Sequence, residues 1–186
     1  MSSSRVLVSE TVIEELRARA TAAAPNETGG LLAGVTTSDG VWVTTMVEIE
    51  GVKPRHSRFD IPAGVTHDLI DALRVDDPRI GYLGDWHSHP EDVGPSGVDF
   101  ATLRDLTAGV FGPRRLLGLV RFTEGGWSVG LWRANRLRPP ARAIVELAGP
   151  LPRAVTSTQL TSSLAPIRQG RLVVNGEDAS DRNGDT

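Results

Sequence analysis

The chain has 186 residues and a mass of 19.9 kDa, long enough for one domain with its own core and too short for two of ordinary size. Apolar residues at 39% and charged residues at 23% make a globular mix, and a net charge of -3 leaves no broad positive field for a phosphate backbone, so no nucleic-acid partner is expected. With no cysteine there can be no disulfide, thiolate metal site or cysteine nucleophile, and any metal must be held by His, Asp or Glu.

The first ten residues contain no continuous apolar stretch, and no run elsewhere approaches the roughly 18 apolar residues of a membrane span, so the expectation is a cytoplasmic chain without a membrane partner. Over residues 9–24, Val12, Ile13, Leu16 and Ala20 share one face of a helix, with Thr11 and Glu14 at capping-box spacing and Pro25-Asn26 as its end. "ETGGLLAGV" (27–35) and "GVWVTTMVEIE" (40–50), separated by the turn-like Ser38-Asp39-Gly40, predict a β-hairpin. "SRFDI" (57–61) predicts a short strand, after which Pro62 opens a helix with Val65, Leu69, Ile70 and Leu73 on one face. "RIGYLGDWHSH" (79–89) predicts a strand, Pro90, Gly94 and Pro95 a loop, and a third helix starts near Ser96 and buries Phe100, Leu103 and Leu106.

"LLGLVRFT" and "GWSVGLWR" predict a second hairpin across Glu124-Gly125-Gly126. Strands and helices mix without strict βαβ alternation, which points to a single α+β domain with a largely antiparallel or mixed sheet. Past Arg136 the pattern weakens: Pro139, Pro140, Pro150, Pro152 and a Ser/Thr run predict a domain over 1–135 and a loosely packed, partly disordered tail over 136–186, with one short strand at 172–174. The basic run Arg133, Arg136, Arg138 and Arg142 reads as solvated surface, and Trp42, Trp86, Trp127 and Trp132 as strand residues that pack the core.

The chemistry concentrates in "GDWHSHPEDVGPSGVDF" (84–100). Residues i and i+2 of a strand project to one face, so His87 and His89 can reach one point while Ser88 faces away. Asp99, in the first turn of the next helix, can supply a third, anionic ligand; two His, one carboxylate and a water make an open tetrahedral zinc site whose water would ionise near pH 7. Glu27, beside a glycine pair, is the candidate base for that water. Each piece has a plainer reading: strand histidines often only hydrogen-bond in a core, Glu27 alone would be a surface acid, and the glycine pair could serve a simple turn. Ser96-x-x-Asp99 is also a capping box, and there the two readings compete for the oxygens of Asp99.

Taken together, "ETGGLLAG" and "HSHPEDVGPSGVD" resemble the JAMM motif of the MPN (Mov34/PAD) metalloprotease family: a glutamate upstream of His-x-His-Pro, a spacer, then Ser-x-x-Asp. Glu27, His87, His89, Pro90, Ser96 and Asp99 occupy every position named in that motif, although the spacer after Pro90 is shorter than the family's usual one. The resemblance implies an MPN-type, cytidine-deaminase-like mixed sheet flanked by helices. It implies one Zn²⁺ per chain on His87, His89 and Asp99, with Glu27 as general base and Ser96 as a donor to the oxyanion.

The variant "GDWHSHP" is similar to the bacterial (Prok-JAB-like) branch, found beside ubiquitin-like, E1-like and E2-like proteins in conjugation and anti-phage operons. That likeness implies a peptidase or isopeptidase acting at the C-terminus of a ubiquitin-like protein, with E1-like and E2-like proteins as further partners. It also leaves no room between Asp99 and Leu116 for the long insertion with which eukaryotic relatives grip one ubiquitin linkage. Asp85 shares a face with His87 and is either an imidazole-orienting acid or a solvated one. Three other readings stand beside this one: a peptidase trimming a ubiquitin-like sulfur carrier in cysteine biosynthesis, a silent MPN scaffold that has no catalysis, and a serine hydrolase built on Ser96. "GPSGV" lacks the Gly-x-Ser-x-Gly elbow that the last would need. His56 and His67 receive no role.

Overall fold

"GGLLAGV" shows no polar alternation, as suits a strand covered on both faces, and it forms the middle of the sheet. The computed structural model describes residues 5–37, 40–50, 61, 64–107, 115–135, 138–151 and 171–173. Along the chain these form β1 (Arg5–Ser9), α1 (Glu10–Ala23), β2 (Gly29–Thr36), β3 (Gly40–Glu50), α2 (Val65–Asp76) and β4 (Gly81–His89). They continue as α3 (Gly97–Asp105), β5 (Arg115–Thr123), β6 (Gly126–Asn135), β7 (Arg138–Arg142), β8 (Val145–Ala148) and β9 (Arg171–Val173). The strands make one mixed sheet in the order β7-β6-β5-β4-β2-β3-β1-β8, with β9 paired to the end of β3. This is the expected α+β architecture in a single domain. The strand expected at 57–60, the opening Pro62, the turn at Ser38-Asp39 and His56 lie outside the described residues.

Both expected hairpins form, β2 against β3 and β5 against β6. The one parallel crossover at the centre is β4-α3-β5, which sets β5 beside β4 with His87 opposite Leu119. On one face, Val12, Leu16 and Ala20 of α1 meet Val6, Val43, Met46, Trp86 and Val120. On the other, α2 brings Leu69 and Ile70 onto Leu31, Ala33 and Val47, and α3 brings Leu103 onto Leu117. Each fully buried Leu or Val stabilises by roughly 1.5–3 kcal/mol, so these layers hold both faces of β4 and β2 firmly in register. Trp86 is wholly buried, its indole N–H donating to the Val47 carbonyl at 3.2 Å; Trp42, Trp127 and Trp132 are half-buried. Among the described residues no helix is long and apolar enough to cross a membrane.

Two expectations need correction. The N-cap of α1 is Ser9, not Thr11, and no side chain caps it, because the Ser9 hydroxyl instead reaches the Gly149 carbonyl at 3.4 Å. The sheet also runs past the boundary placed at 135: β7 pairs with β6, β8 pairs with β1, and Ala143 joins the core. Farther on, the strand expected at 172–174 is found as β9.

The glycine pair has a backbone reason. A β-carbon on Gly30 would lie 1.8 Å from the Val47 carbonyl oxygen, so β2 and β3 approach closely only because it is absent. Gly30→Ala is expected to cost roughly 2–4 kcal/mol, read as a lowered urea midpoint at unchanged slope.

Candidate metal centre

β4 carries the centre at its C-terminal end. His87 and His89 project to the face that carries α3, and Trp86 and Ser88 to the α1 face, as period two requires. Both imidazoles are buried, with His87 opposite Gly29 of β2 and His89 opposite Arg121 of β5. Their Nε2 atoms stand 3.1 Å apart, and His87 Nε2 lies 3.3 Å from Asp99 Oδ1. One ligand atom from each of His87, His89 and Asp99 falls within 4.8 Å of the others. Tetrahedral zinc with Zn–N bonds of 2.0–2.1 Å separates its donors by about 3.3 Å, so this set fits that ion.

The histidines are oriented for a cation. His89 Nδ1 lies 3.3 Å from the Val93 carbonyl; a carbonyl only accepts, so the proton sits on Nδ1 and the Nε2 lone pair is left to face the other ligands. The loop bearing Val93 is itself tied to β5 by Arg121 and Asp92 at 3.0 Å.

The competition for Asp99 does not arise, because its two oxygens divide the work. Oδ2 accepts from the Ser96 amide at 2.6 Å and Oδ1 faces His87, while the Ser96 hydroxyl accepts from the Asp99 amide at 3.2 Å. The capping box therefore aims the ligand. Burial is the largest influence on Asp99 and pushes its pKa up, but the hydrogen bond and charge of His87, with the Ser96 contacts, outweigh it and hold the value at about 2 against an ordinary 3.8. A carboxylate whose pKa falls on folding adds its stability above the ordinary value and loses it as pH drops through the folded one; here that is about 2 kcal/mol. In chelated protein, Asp99→Asn is thus expected to lower stability by about this amount at pH 6, and urea titrations should show the gap narrowing between pH 4 and pH 2.

Glu27 stands on the rim, 41% exposed at its side chain, with Oε1 4.0 Å from His89 Nε2. That is too far for a hydrogen bond and leaves space for a small molecule between them. Ser96 is exposed, and its hydroxyl hydrogen has no acceptor among the described residues. No histidine contacts that hydroxyl among them either, which counts against a serine nucleophile. Asp85 is not a solvated acid: it is largely enclosed and accepts from the Tyr82 hydroxyl at 2.6 Å. Burial raises the pKa of Asp85, with Tyr82, His87 and Arg115 pulling the other way. A cavity of about 20 Å³, room for a water, lies among Asp85, His87, Asp99 and the apolar side of α3. His67 is exposed beside Asp71 and far from this chemistry in sequence and element.

Sequence reasoning missed the residues that hold the rim. Thr28 donates from its amide to the Ser88 hydroxyl at 3.0 Å and from its own hydroxyl to Glu48 at 2.7 Å, and the Ser88 amide donates to the Thr28 carbonyl at 2.7 Å. The only signal in sequence was the lone acid Glu48 in an otherwise apolar strand end, and nothing there points to its partner.

Comparison with known proteins supplies context for this geometry. Residues 9–133 match the family model described as prokaryotic homologs of the JAB domain. The solution structure of a protein from Desulfitobacterium hafniense is similar in fold, with a TM-score of 0.62 and 20% identity over 78% of this chain and 94% of that one. No curated protein matches the chain at a significant level.

Proposed function

This chain belongs to the prokaryotic homologs of the JAB domain, and we propose that it is a zinc-dependent peptidase or isopeptidase cutting at the C-terminus of a ubiquitin-like protein. The observation that carries the reading is the convergence of His87, His89 and Asp99 on one point with Glu27 standing over it at the rim.

Zinc, when bound, supplies Lewis acidity and brings the ionisation of a coordinated water to about pH 7. The chain's residues do the rest. Glu27, exposed enough to stay ionised and near enough to reach a water between itself and His89, takes the proton and hands it to the leaving nitrogen. Ser96 donates its free hydroxyl hydrogen to the carbonyl oxygen as negative charge develops there. Asp99 stays anionic across the working pH range because its pKa is near 2, so the ligand set does not titrate away. The fixed capping box presents Ser96 and Asp99 together, which couples the donor to the ligand without a flexible link.

The substrate follows from the likeness of "GDWHSHP" to the bacterial branch: a ubiquitin-like protein or its conjugate, with E1-like and E2-like proteins acting on the same partner. Removing a tail before conjugation and releasing a conjugate afterwards are the same hydrolysis at one C-terminus. A silent scaffold would be expected to have lost a ligand or the base, and neither is lost here. The test is hydrolysis of a ubiquitin-like protein encoded beside this chain, extended at its C-terminus or joined to a lysine, followed by mass spectrometry. Cleavage after the terminal residue of that protein, abolished by chelation and restored by zinc, is the expected result; cleavage that persists in metal-free enzyme contradicts the proposal.

A further inference from the structure

The metal ligands and the base lie on different elements, and one strand ties them together. β4 alternates: His87 and His89 face the centre, and Ser88 between them points to the α1 face, where it is wholly buried. The run before β2 alternates in the same way, with Glu27 toward the centre and Thr28 behind it. All three polar groups of Thr28 are engaged. Its amide donates to the Ser88 hydroxyl at 3.0 Å, its carbonyl accepts from the Ser88 amide at 2.7 Å, and its hydroxyl donates to Glu48 Oε1 at 2.7 Å.

Glu48 is 8% exposed, an unusual place for a carboxylate unless it is paired. Its other oxygen, Oε2, lies 3.6 Å from Arg19 Nε of α1. A buried acid of this kind costs stability when its partners are lost, so the structure has a stake in keeping Thr28 where it is. β3 holds Glu48 opposite Gly30, where the close approach of the two strands brings the acid beneath the start of β2.

Resting on the reading of Glu27 as the base, we infer that Arg19, Glu48, Thr28 and Ser88 form a positioning network that sets Glu27 over the metal ligands from the opposite face of the sheet. Glu27 itself makes no hydrogen bond among the described residues that would fix it, and its 4.0 Å approach to His89 is the only polar contact it shows. Its placement is therefore inherited from the backbone of its neighbour. Thr28 clamps that backbone to the strand that carries both histidines, so base and ligands keep one geometry. Misplacing a catalytic group by about 1 Å can cost on the order of a hundredfold in rate.

The experiment compares Thr28→Val, which keeps the shape and removes the hydroxyl, with Thr28→Ser, which keeps the hydroxyl, in full-length zinc-loaded protein. Thr28→Val is expected to lower kcat by about ten- to a hundredfold with KM within about twofold and zinc content unchanged; Thr28→Ser should recover most of the loss. Combined with Glu27→Gln, Thr28→Val should add nothing further, because both act through one group. Independently of turnover, hydrogen exchange of the peptide around Glu27 to Gly29 should quicken in Thr28→Val while the His87 to His89 segment stays protected. If Thr28→Val fails to fold, Ser88→Ala, which adds no bulk, carries the same comparison. Wild-type kcat in a folded variant, unchanged exchange, or a full additional loss on top of Glu27→Gln overturns the inference. Full turnover in Glu27→Gln alone would instead overturn the assignment of the base, and the exchange measurement would still judge the network.

Discussion

Glu27→Gln is expected to leave one zinc per chain in place and to lower kcat by about a hundred- to ten-thousandfold. The side chain is nearly isosteric, so packing at the rim is unchanged, but an amide cannot take a proton from water or return it to a leaving nitrogen. The distances separate this residue from the ligands: 4.0 Å from Glu27 to His89, against 3.1 and 3.3 Å among the atoms of His87, His89 and Asp99. Single-turnover hydrolysis and metal analysis on the same sample give the check. Loss of zinc in this variant would make Glu27 a ligand and would require another base.

His87→Ala is expected to abolish zinc binding and, with it, the stabilisation that zinc confers. His87 is the hub, since its Nε2 faces both His89 and Asp99, and neither of the remaining two ligands can replace it. At free zinc about a hundred times the dissociation constant, wild type should gain about 2.7 kcal/mol, seen as a rise in Tm that grows with zinc concentration. The variant should show no zinc-dependent rise and no hydrolysis. Removal of zinc from wild type by chelation should give the same two losses, and zinc should reverse them. A zinc-dependent rise that survives in His87→Ala would place the ion elsewhere.

Much of this centre could be read from short-range pattern. Period two puts His87 and His89 on one face of any strand, and three-residue spacing puts Ser96 and Asp99 in a capping box, so both pairs follow from local geometry alone. What local pattern hides is how partners far apart in the chain share one atom or one edge. Asp99 seemed to face a choice between cap and ligand, and only the approach of β4 to α3 shows that Oδ1 and Oδ2 point to different partners. Thr28, Glu48 and Ser88 meet through the register of β3, β2 and β4, which no window of the sequence contains.

The boundary at 135 went astray for a different reason. Pro139 and Pro140 read as breakers, yet β7 lies at the edge of the sheet, where a missing amide donor costs no ladder bond on the outer side. The cap expected at Thr11 failed because a long-range contact, from Ser9 to Gly149, took the side chain that would have served the helix. Asp85 looked like an exposed strand acid, and it is the parallel neighbour β5 together with Tyr82 that encloses it.

The most direct test of the whole account is the metal content of the full chain purified without added metal, measured by elemental analysis beside Asp99→Ala. The account predicts close to one zinc per wild-type chain and almost none in the variant. No metal in either protein, even after zinc is supplied, would reduce His87, His89 and Asp99 to strand and cap residues and would contradict it.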